Sequence, residues 1–202
     1  MHIEFFVEEP SAEAALYNLV PRIVGPEISF KVHSYQGKSD LLTKLPGRLR
    51  GYRDWLPEDW RIVVLLDADR EDCRELKRHL DEVAAQAGLV TRTVAGSPRF
   101  QVLNRIAIEE LEAWFLGDVE ALREAYPGVD RNLAAQEKFR NPDAIAGGTW
   151  EALERVLQKA GHFKGGLGKV TAAREISRLM APDRNRSRSF QVFRQGLLEM
   201  VA

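Results

Sequence analysis

The sequence predicts an α/β protein in which a mostly parallel sheet is flanked by helices and followed by a helical C-terminal lobe. Residues 62–66 are five consecutive apolar residues, a run typical of a strand buried on both faces in the middle of a parallel sheet. Strand patterns alternate with helix patterns in the first half of the chain, whereas the second half carries only helical periodicity. We therefore predict a single domain over residues 1–202, with an α/β core in 1–109 and the helical lobe in 110–202.

The first two strands are predicted on either side of a helix. Residues 2–8 are typical of a short apolar strand, and Pro10-Ser11 suit the first-turn and N-cap positions of a helix over 11–24. Gly25-Pro26 is typical of the end of such a helix. Residues 28–35 then alternate between apolar and polar side chains, which predicts the second strand.

A second helix, a third strand and a third helix are predicted next. Gly37-Lys38-Ser39-Asp40 opens the second helix, whose register stays open because Pro46-Gly47 interrupts its leucines. The third strand spans 62–67, and the third helix spans 71–87. One face of the third helix is apolar and consists of Cys73, Leu76, Leu80, Val83, Ala84 and Ala87.

Two more strands are predicted at 89–95 and 100–108, and the resulting alternation of strands and helices favours parallel pairing with helices on the sheet faces. Beyond them the chain predicts helices and one long loop that is rich in Gly, Pro, Asn and Asp. In order, these are helices over 110–118 and 118–126, a loop over 127–148, a helix capped by Thr149 and stopped at Gly161, a helix around 170–180 that Pro182 ends, and a helix over 189–201.

Composition excludes several classes of protein. The 202 residues are enough for a full hydrophobic core, and no apolar run approaches the length that spans a membrane. The N-terminus lacks the basic-then-apolar pattern of a signal peptide. Cys73 has no partner for an intramolecular disulfide, and the four histidines have no zinc-binding spacing. We therefore expect a cytoplasmic protein without membrane association or a structural metal.

Formal charge is distributed unevenly, although the net charge is only −1. Residues 162–202 carry a net charge of +5 and residues 31–61 one of +3, whereas residues 1–30 and 62–161 carry −4 and −5. An acidic centre between basic flanks could hold a polyphosphate by its flanks while a metal bridges the centre. The alternative, that these charges are solvated helix faces, stays open.

Carboxylates follow two strands of the predicted sheet. Glu8 and Glu9 come after the first strand, and Asp67 and Asp69 close the third, where both should point the same way if the extended geometry persists. Ligands of open α/β sheets bind at the carboxyl ends of strands, and oxygen-rich sites suit Mg²⁺ or Mn²⁺. Single acids at such places are usually loop solubilisers, but the combination favours a metal site.

A second acidic segment follows the last predicted strand. Glu109 and Glu112 are three residues apart and share a helical face if the helix has begun, so they could extend the cluster to a second cation. An equally good alternative is that these acids simply stabilise the N-terminus of a helix through its dipole. Glu112 is the stronger candidate, because it lies among large apolar residues, where an unpaired charge is hard to tolerate.

Four basic residues are candidate contacts to a phosphate backbone. Lys38 lies between a strand and a helix, and Lys169 follows a glycine-rich segment that is not a Walker motif. Arg186 and Arg188 lie with several hydroxyl side chains near the start of a helix, a combination that can contact phosphate. An alternative that is nearly as good is a plain N-cap with exposed arginines beside it.

Five short segments, in order along nearly the whole chain, resemble a bacterial Toprim-like family catalogued as a domain of unknown function (DUF4276). The segments are Phe6-Val7-Glu8-Glu9-Pro10-Ser11, Gly37-Lys38-Ser39-Asp40-Leu41, Val64-Leu65-Leu66-Asp67-Ala68-Asp69, Glu110-Leu111-Glu112-Ala113-Trp114-Phe115 and Asn185-Arg186-Ser187-Arg188-Ser189-Phe190. The Toprim fold is shared by topoisomerases, bacterial primases and the OLD-type nucleases. The resemblance therefore implies a Toprim-like sheet and Mg²⁺-dependent phosphodiester chemistry.

The resemblance also implies roles for individual residues. Glu8 matches the first-strand Glu, a general acid/base and possible metal ligand, and Asp67 and Asp69 match the metal-binding pair. Glu112 matches the later acidic position of OLD-type sites. One position departs from the pattern, since Glu9 stands where Toprim sequences usually carry Gly.

The sequence thus predicts a metal-dependent nuclease that acts on DNA or RNA. OLD-type proteins carry a fused ATPase that is missing here, so a partner ATPase in trans, in a bacterial defence system, is a further expectation. The alternative is a non-catalytic Toprim-like subunit that binds and regulates such an ATPase. A phosphoryl-accepting receiver is a third and weaker hypothesis, because no Thr/Ser and Lys pattern stands at the following strand ends.

Overall fold

Four parallel strands form the sheet of this protein, of which a computed structural model describes residues 1–95 and 100–202. The strands lie in the order β2-β1-β3-β4, with β1 at His2–Val7, β2 at Ser29–Ser34, β3 at Trp60–Asp67 and β4 at Val102–Ala107. Every pairing is parallel, so the carboxyl ends of all four strands lie at the same edge. The predicted α/β fold with a parallel sheet is confirmed.

Helices connect the strands and form the rest of the chain. They are α1 (Pro10–Val24), α2 (Lys38–Arg53), α3 (Cys73–Gln86), α4 (Arg92–Ala95), α5 (Glu112–Leu116), α6 (Val119–Ala125), α7 (Thr149–Lys159), α8 (Lys169–Leu179) and α9 (Arg188–Val201). Three short 3-10 turns, Leu133–Ala135, Glu137–Phe139 and Pro142–Ala144, occupy the predicted long loop. Among the helices described, none has the length and apolar character needed to cross a membrane.

The two faces of the sheet are covered by different helices. Alternate residues of β1 point to opposite faces, so Phe6 packs in one apolar cluster with leucines of α2 and α3. Ile3 and Phe5 belong to the other cluster, which includes α1 and the C-terminal helices. α8 is tied to α1 by the Asn18 side chain, whose Nδ2 donates to the Arg174 carbonyl at 3.1 Å. The C-terminal helices therefore share one core with the sheet.

Most predicted elements are confirmed, and one strand is wrong. Residues 89–95 do not form a strand, since only Thr91 makes a single bridge to Val102 before α4 begins. Leu89 and Thr91 are buried, but Val90 and Val94 are 42% and 78% exposed, so the second half of the predicted strand does not join the sheet. α2 continues through Pro46 without a break. The N-cap of α1 is Glu9 rather than Ser11, and that of α7 is Gly148 rather than Thr149.

Trp114 joins α5 to α9 in the centre of the C-terminal half. Its ring is fully buried, with centroids 5.2 Å from Phe190 and 4.9 Å from Phe193, and Nε1 donates to Ser189 Oγ at 2.9 Å. We expect Trp114→Ala to lower the free energy of unfolding by about 3–5 kcal/mol, because it opens a cavity and leaves a buried hydroxyl without its donor.

Urea denaturation followed by far-UV circular dichroism measures this loss. Trp55→Ala is the matched control, because Trp55 is 56% exposed and lies on the other face of the sheet. We expect it to cost less than about 1 kcal/mol. An equal loss in both variants would contradict a central role for the α5–α9 contact.

Candidate functional site

The carboxyl ends of β1 and β3 bring Glu8 to Asp67, as the sequence predicts. The two strands pair in parallel register, and Glu8 Oε2 accepts a hydrogen bond from the backbone N–H of Asp67 at 3.4 Å. Burial raises the pKa of Glu8, and the negative charges of Asp69 and Glu9 raise it further. The hydrogen bond from Asp67 and the positive charge of Lys38 act in the opposite direction without cancelling the rise.

Asp67 and Glu112 form the most deeply placed part of the acidic cluster. Burial raises the pKa of the Asp67 carboxyl well above its usual range, although part of the residue reaches solvent, and Glu112 is the strongest of the like charges that raise it further. A hydrogen bond from the Leu111 N–H lowers the Asp67 pKa only in part. Glu112 is 1% exposed, and burial raises its pKa to about 7. Among the described residues, Glu112 Oε2 has no hydrogen-bond partner.

Lys169, at the start of α8, supplies positive charge to this cluster. Its Nζ lies 4.0 Å from Glu112 Oε1 and 3.7 Å from Glu9 Oε1, and it also sits over the Trp150 ring, 5.7 Å from the centroid. Burial lowers the pKa of Lys169, but the acidic neighbours, with Glu112 first, outweigh burial and leave this pKa raised. Lys169 therefore stays protonated and offsets part of the negative charge at the edge of the sheet.

Asp69 does not continue the strand geometry that the sequence suggested. β3 ends at Asp67, and Asp69 has a φ of 50° with its N–H donating to the Glu109 carbonyl at 2.6 Å. The two aspartates were expected to point the same way only if the extended geometry persisted, and this condition is not met at Asp69. Instead, Lys38 Nζ lies 2.6 Å from Asp69 Oδ2 and 2.8 Å from Glu71 Oε1.

The first turn of α2 brings Lys38 to the strand ends. Gly37 has a φ of 96°, which favours glycine, and its N–H donates to the Glu8 carbonyl at 3.0 Å. Burial lowers the pKa of Lys38, but its hydrogen bonds with Asp69 and Glu71 outweigh burial and raise it. Lys38 was predicted to contact a phosphate. In the structure carboxylates already engage its ammonium group, and its side chain is only 14% exposed.

Comparison with known protein families gives one match. A family model described as "Domain of unknown function (DUF4276)" matches residues 7–198. The chain belongs to the DUF4276 family. Neither the curated proteins nor the solved structures contain a match to it. The matched range includes every acidic residue of the cluster in this DUF4276 protein.

The donor set of the DUF4276 protein suits a hard divalent cation in its chemistry. Glu8, Asp67 and Glu112 offer carboxylate oxygens, and one Glu112 oxygen is buried without a partner. Within residues 1–95 and 100–202, however, no three His, Cys, Asp or Glu side chains lie close enough together to hold a metal ion. The roles of Glu8, Asp67, Asp69 and Glu112 as metal ligands therefore stay predictions.

Glu110 has a structural role that sequence reasoning missed. Its Oε2 accepts hydrogen bonds from the backbone N–H groups of Thr149 and Trp150, at 3.1 and 2.8 Å, and from Thr149 Oγ1 at 2.8 Å. Glu110 thus caps the first turn of α7 from a distant part of the chain. No local spacing in the sequence could have indicated this pairing, because the two segments lie 39 residues apart.

The other two predicted backbone contacts lie beyond the acidic cluster. Arg186 lies on the α8–α9 connection, where its N–H donates to the Gly117 carbonyl and its Nη2 donates to the Phe139 carbonyl. Arg188 is exposed, and its N–H donates to Asp143 Oδ2. Neither side chain makes a hydrogen bond or ion pair with the cluster in the described parts of the chain, so their binding roles stay predictions.

Glu9, the position at which the sequence was expected to depart from the Toprim pattern, has a backbone conformation that does not require glycine. Its φ is −148°, which is extended, and Ser11 Oγ donates to its Oε1 at 2.5 Å. The Glu9 side chain therefore stays beside the first turn of α1 and adds a further negative charge near Glu8 and Asp67.

Proposed function

We propose that this DUF4276 protein is a Toprim-like, Mg²⁺- or Mn²⁺-dependent phosphodiester hydrolase that acts on nucleic acid. The observation that carries the proposal is the Glu112 carboxylate, which is buried and has one oxygen without a hydrogen-bond partner. A second acid, Asp67, lies near it, and burial and the like charge of Glu112 raise the pKa of Asp67. The charged form of a buried carboxyl is unfavourable unless a cation neutralises it, and the alternative is that the group takes up a proton. Asp67 and Glu112 lie at the carboxyl edge of the parallel sheet, which is the edge where open α/β sheets bind ligands.

In this proposal Glu8, Asp67 and Glu112 are the candidate ligands of the cation, with Asp69 as a fourth, and cation binding would have to draw their side chains closer together than they lie among the described residues. A bound Mg²⁺ supplies polarisation of the phosphoryl oxygens and a more acidic water. Glu8, with its raised pKa, can accept or release a proton at the edge of the cluster. Lys38 and Lys169 place positive charge beside Asp69 and Glu112, and the proposal assigns both lysines contacts to the phosphate backbone.

A cleavage assay with the purified full-length protein tests the proposal. Labelled single-stranded DNA, duplex DNA and RNA are each incubated with Mg²⁺, with Mn²⁺ and with EDTA, and the products are separated on a denaturing gel. We expect cleavage of at least one substrate with either metal and none in EDTA. The assay is repeated with a partner ATPase encoded beside the protein, because OLD-type relatives carry a fused one.

The Asp69–Lys38 ion pair favours the second candidate function, a non-catalytic Toprim-like subunit that binds and regulates a partner ATPase. Lys38 already neutralises the carboxylate that would complete the metal-binding pair. Absence of cleavage under every metal and substrate condition, alone and with the ATPase, would reject the hydrolase. A change in the ATPase rate on addition of this protein would then support the regulatory subunit.

A further inference from the structure

Four arginines line one cleft at the C-terminal end of α5. Arg123 lies on α6, Arg131 follows it, and Arg184 and Arg186 lie on the connection between α8 and α9. None of the carboxylates of the acidic cluster lines the cleft. Its residues come from three separate segments, so the convergence of charge is a product of the fold and not of local composition.

Two of the four guanidinium groups are held in fixed positions. Arg184 donates from Nε and Nη2 to the two oxygens of Asp118, at 2.8 and 3.0 Å, and Asp118 is buried. Its Nη1 lies 2.8 Å from Glu120 Oε2. Arg186 is anchored through its Nη2 by the Phe139 carbonyl at 3.2 Å.

The backbone that carries Arg184 and Arg186 is itself held by buried contacts. Asn185 is buried, and its Nδ2 donates to the Trp114 carbonyl at 2.7 Å. Its Oδ1 accepts from the Ser187 N–H at 2.9 Å. Because this segment is already ordered, ligand binding would cost little further conformational entropy, and this favours affinity.

Arg123 and Arg131 leave the cleft with excess positive charge. Both are exposed, and in the part of the chain that the structure describes neither guanidinium has a hydrogen bond, ion pair or ring contact. Asp118 and Glu120 are the carboxylates that line the cleft, and Arg184 already pairs with both. The lining of the cleft thus holds four positive groups against two negative ones, and Glu124 is a further carboxylate close enough to act on Arg184. The guanidinium groups of Arg123 and Arg131 keep their N–H donors free for an anion.

We propose that this cleft binds phosphate groups. Guanidinium groups present planar pairs of donors that match phosphate oxygens, and several of them around one cleft favour a group with more than one negative charge. The source of the phosphate is either a nucleic-acid backbone or a small phosphate compound such as pyrophosphate. The inference uses none of the metal-site residues and holds whether or not the proposed hydrolase activity exists.

A binding experiment in EDTA tests the cleft, because chelation prevents metal-dependent cleavage. Inorganic pyrophosphate is titrated by calorimetry, and a labelled DNA oligonucleotide by fluorescence anisotropy at several salt concentrations. The variant is the double substitution Arg123→Glu with Arg131→Glu, which changes two exposed side chains. We expect it to weaken binding by about tenfold or more and to reduce the salt slope for DNA by about 1–2.

The control is Lys31→Glu with Arg50→Glu, which changes the net charge equally at exposed positions on β2 and α2. Arg123→Gln with Arg131→Gln is a milder variant that keeps the test valid if charge reversal disturbs folding. Loss of pyrophosphate and DNA binding in the cleft variants alone assigns a general phosphate site, and loss of DNA binding alone assigns the nucleic-acid backbone. Absence of binding by the wild type, or equal losses in cleft and control variants, overturns the proposal.

Discussion

Replacing Asp67 by Asn should abolish metal-dependent cleavage by this protein while leaving it folded and more stable in EDTA. Asn keeps the shape of Asp and an oxygen that can accept the Leu111 N–H. It removes a carboxyl whose charged form is disfavoured first by burial and then by the like charges of Glu112, Glu8 and Glu9. We expect the cleavage rate to fall by at least about 100-fold, because a carboxylate that would hold the cation is lost.

The same substitution should raise the melting temperature in EDTA by several degrees. Each kcal/mol of relieved repulsion corresponds to roughly 2–4 °C for a chain of this length. In the wild type, Mg²⁺ should raise the melting temperature, because it binds only the folded state, and in Asp67→Asn this response should disappear.

Asp59→Asn is the matched control for Asp67→Asn. Asp59 precedes β3 at the opposite edge of the sheet, where its carboxylate pairs with the N-terminal amine at 3.4 Å. The control should cleave at the wild-type rate and keep the response to Mg²⁺. Cleavage by Asp67→Asn at the wild-type rate would contradict a metal site that includes Asp67. A melting temperature in EDTA below that of the wild type would show that the fold already compensates the Asp67 charge.

The sheet could be predicted because its strands carry strong local patterns. The five apolar residues of β3 have no other favourable place than the centre of a sheet, and the glycine after α1 ends that helix. Residues 89–95 were misassigned because β-branched residues such as Val94 give the same local pattern whether or not a neighbouring strand buries them. Whether a side chain is buried depends on the tertiary fold, so the local alternation of residues does not predict it.

The acidic cluster could be predicted only in outline. Parallel pairing puts strand ends together, so the approach of Glu8 to Asp67 follows from the sequence. The partners that decide the charge state depend on tertiary contacts, such as Lys169 from α8 beside Glu112. Asp69 shows the limit most clearly, because a single residue with positive φ redirects it from the expected pair to Lys38.

The stability of the metal-free protein should fall as the pH rises from about 4.5 to about 7, and Glu112 should be a main cause. Its pKa is about 7 in the folded state, mainly through burial, against an ordinary value of 4.5. Between these values the folded state binds more protons than the unfolded state, so the free energy of unfolding decreases with pH. The contribution is fully present below 4.5, is lost as the pH passes 7, and amounts to roughly 3 kcal/mol.

Glu112→Gln should flatten this dependence, because Gln carries no charge at any of these pH values. The measurement is urea denaturation in EDTA at pH 5 and pH 8, and the readout is the difference between the two free energies of unfolding. That difference is insensitive to a constant cost of burying the Gln amide. Asp67 and Glu8, whose pKa values are also raised, should leave a residual dependence in the variant.

Glu82→Gln is the control for the pH series, since Glu82 is 49% exposed and pairs with Arg78 on the surface of α3. It should follow the wild-type dependence. Because a cation would neutralise Glu112, added Mg²⁺ should restore the wild-type stability at pH 8 and leave Glu112→Gln almost unchanged. An identical pH dependence in the wild type and Glu112→Gln would mean that the Glu112 charge is already compensated without metal, by Lys169 for example, and the strongest reason for placing a cation at this edge of the sheet would be lost.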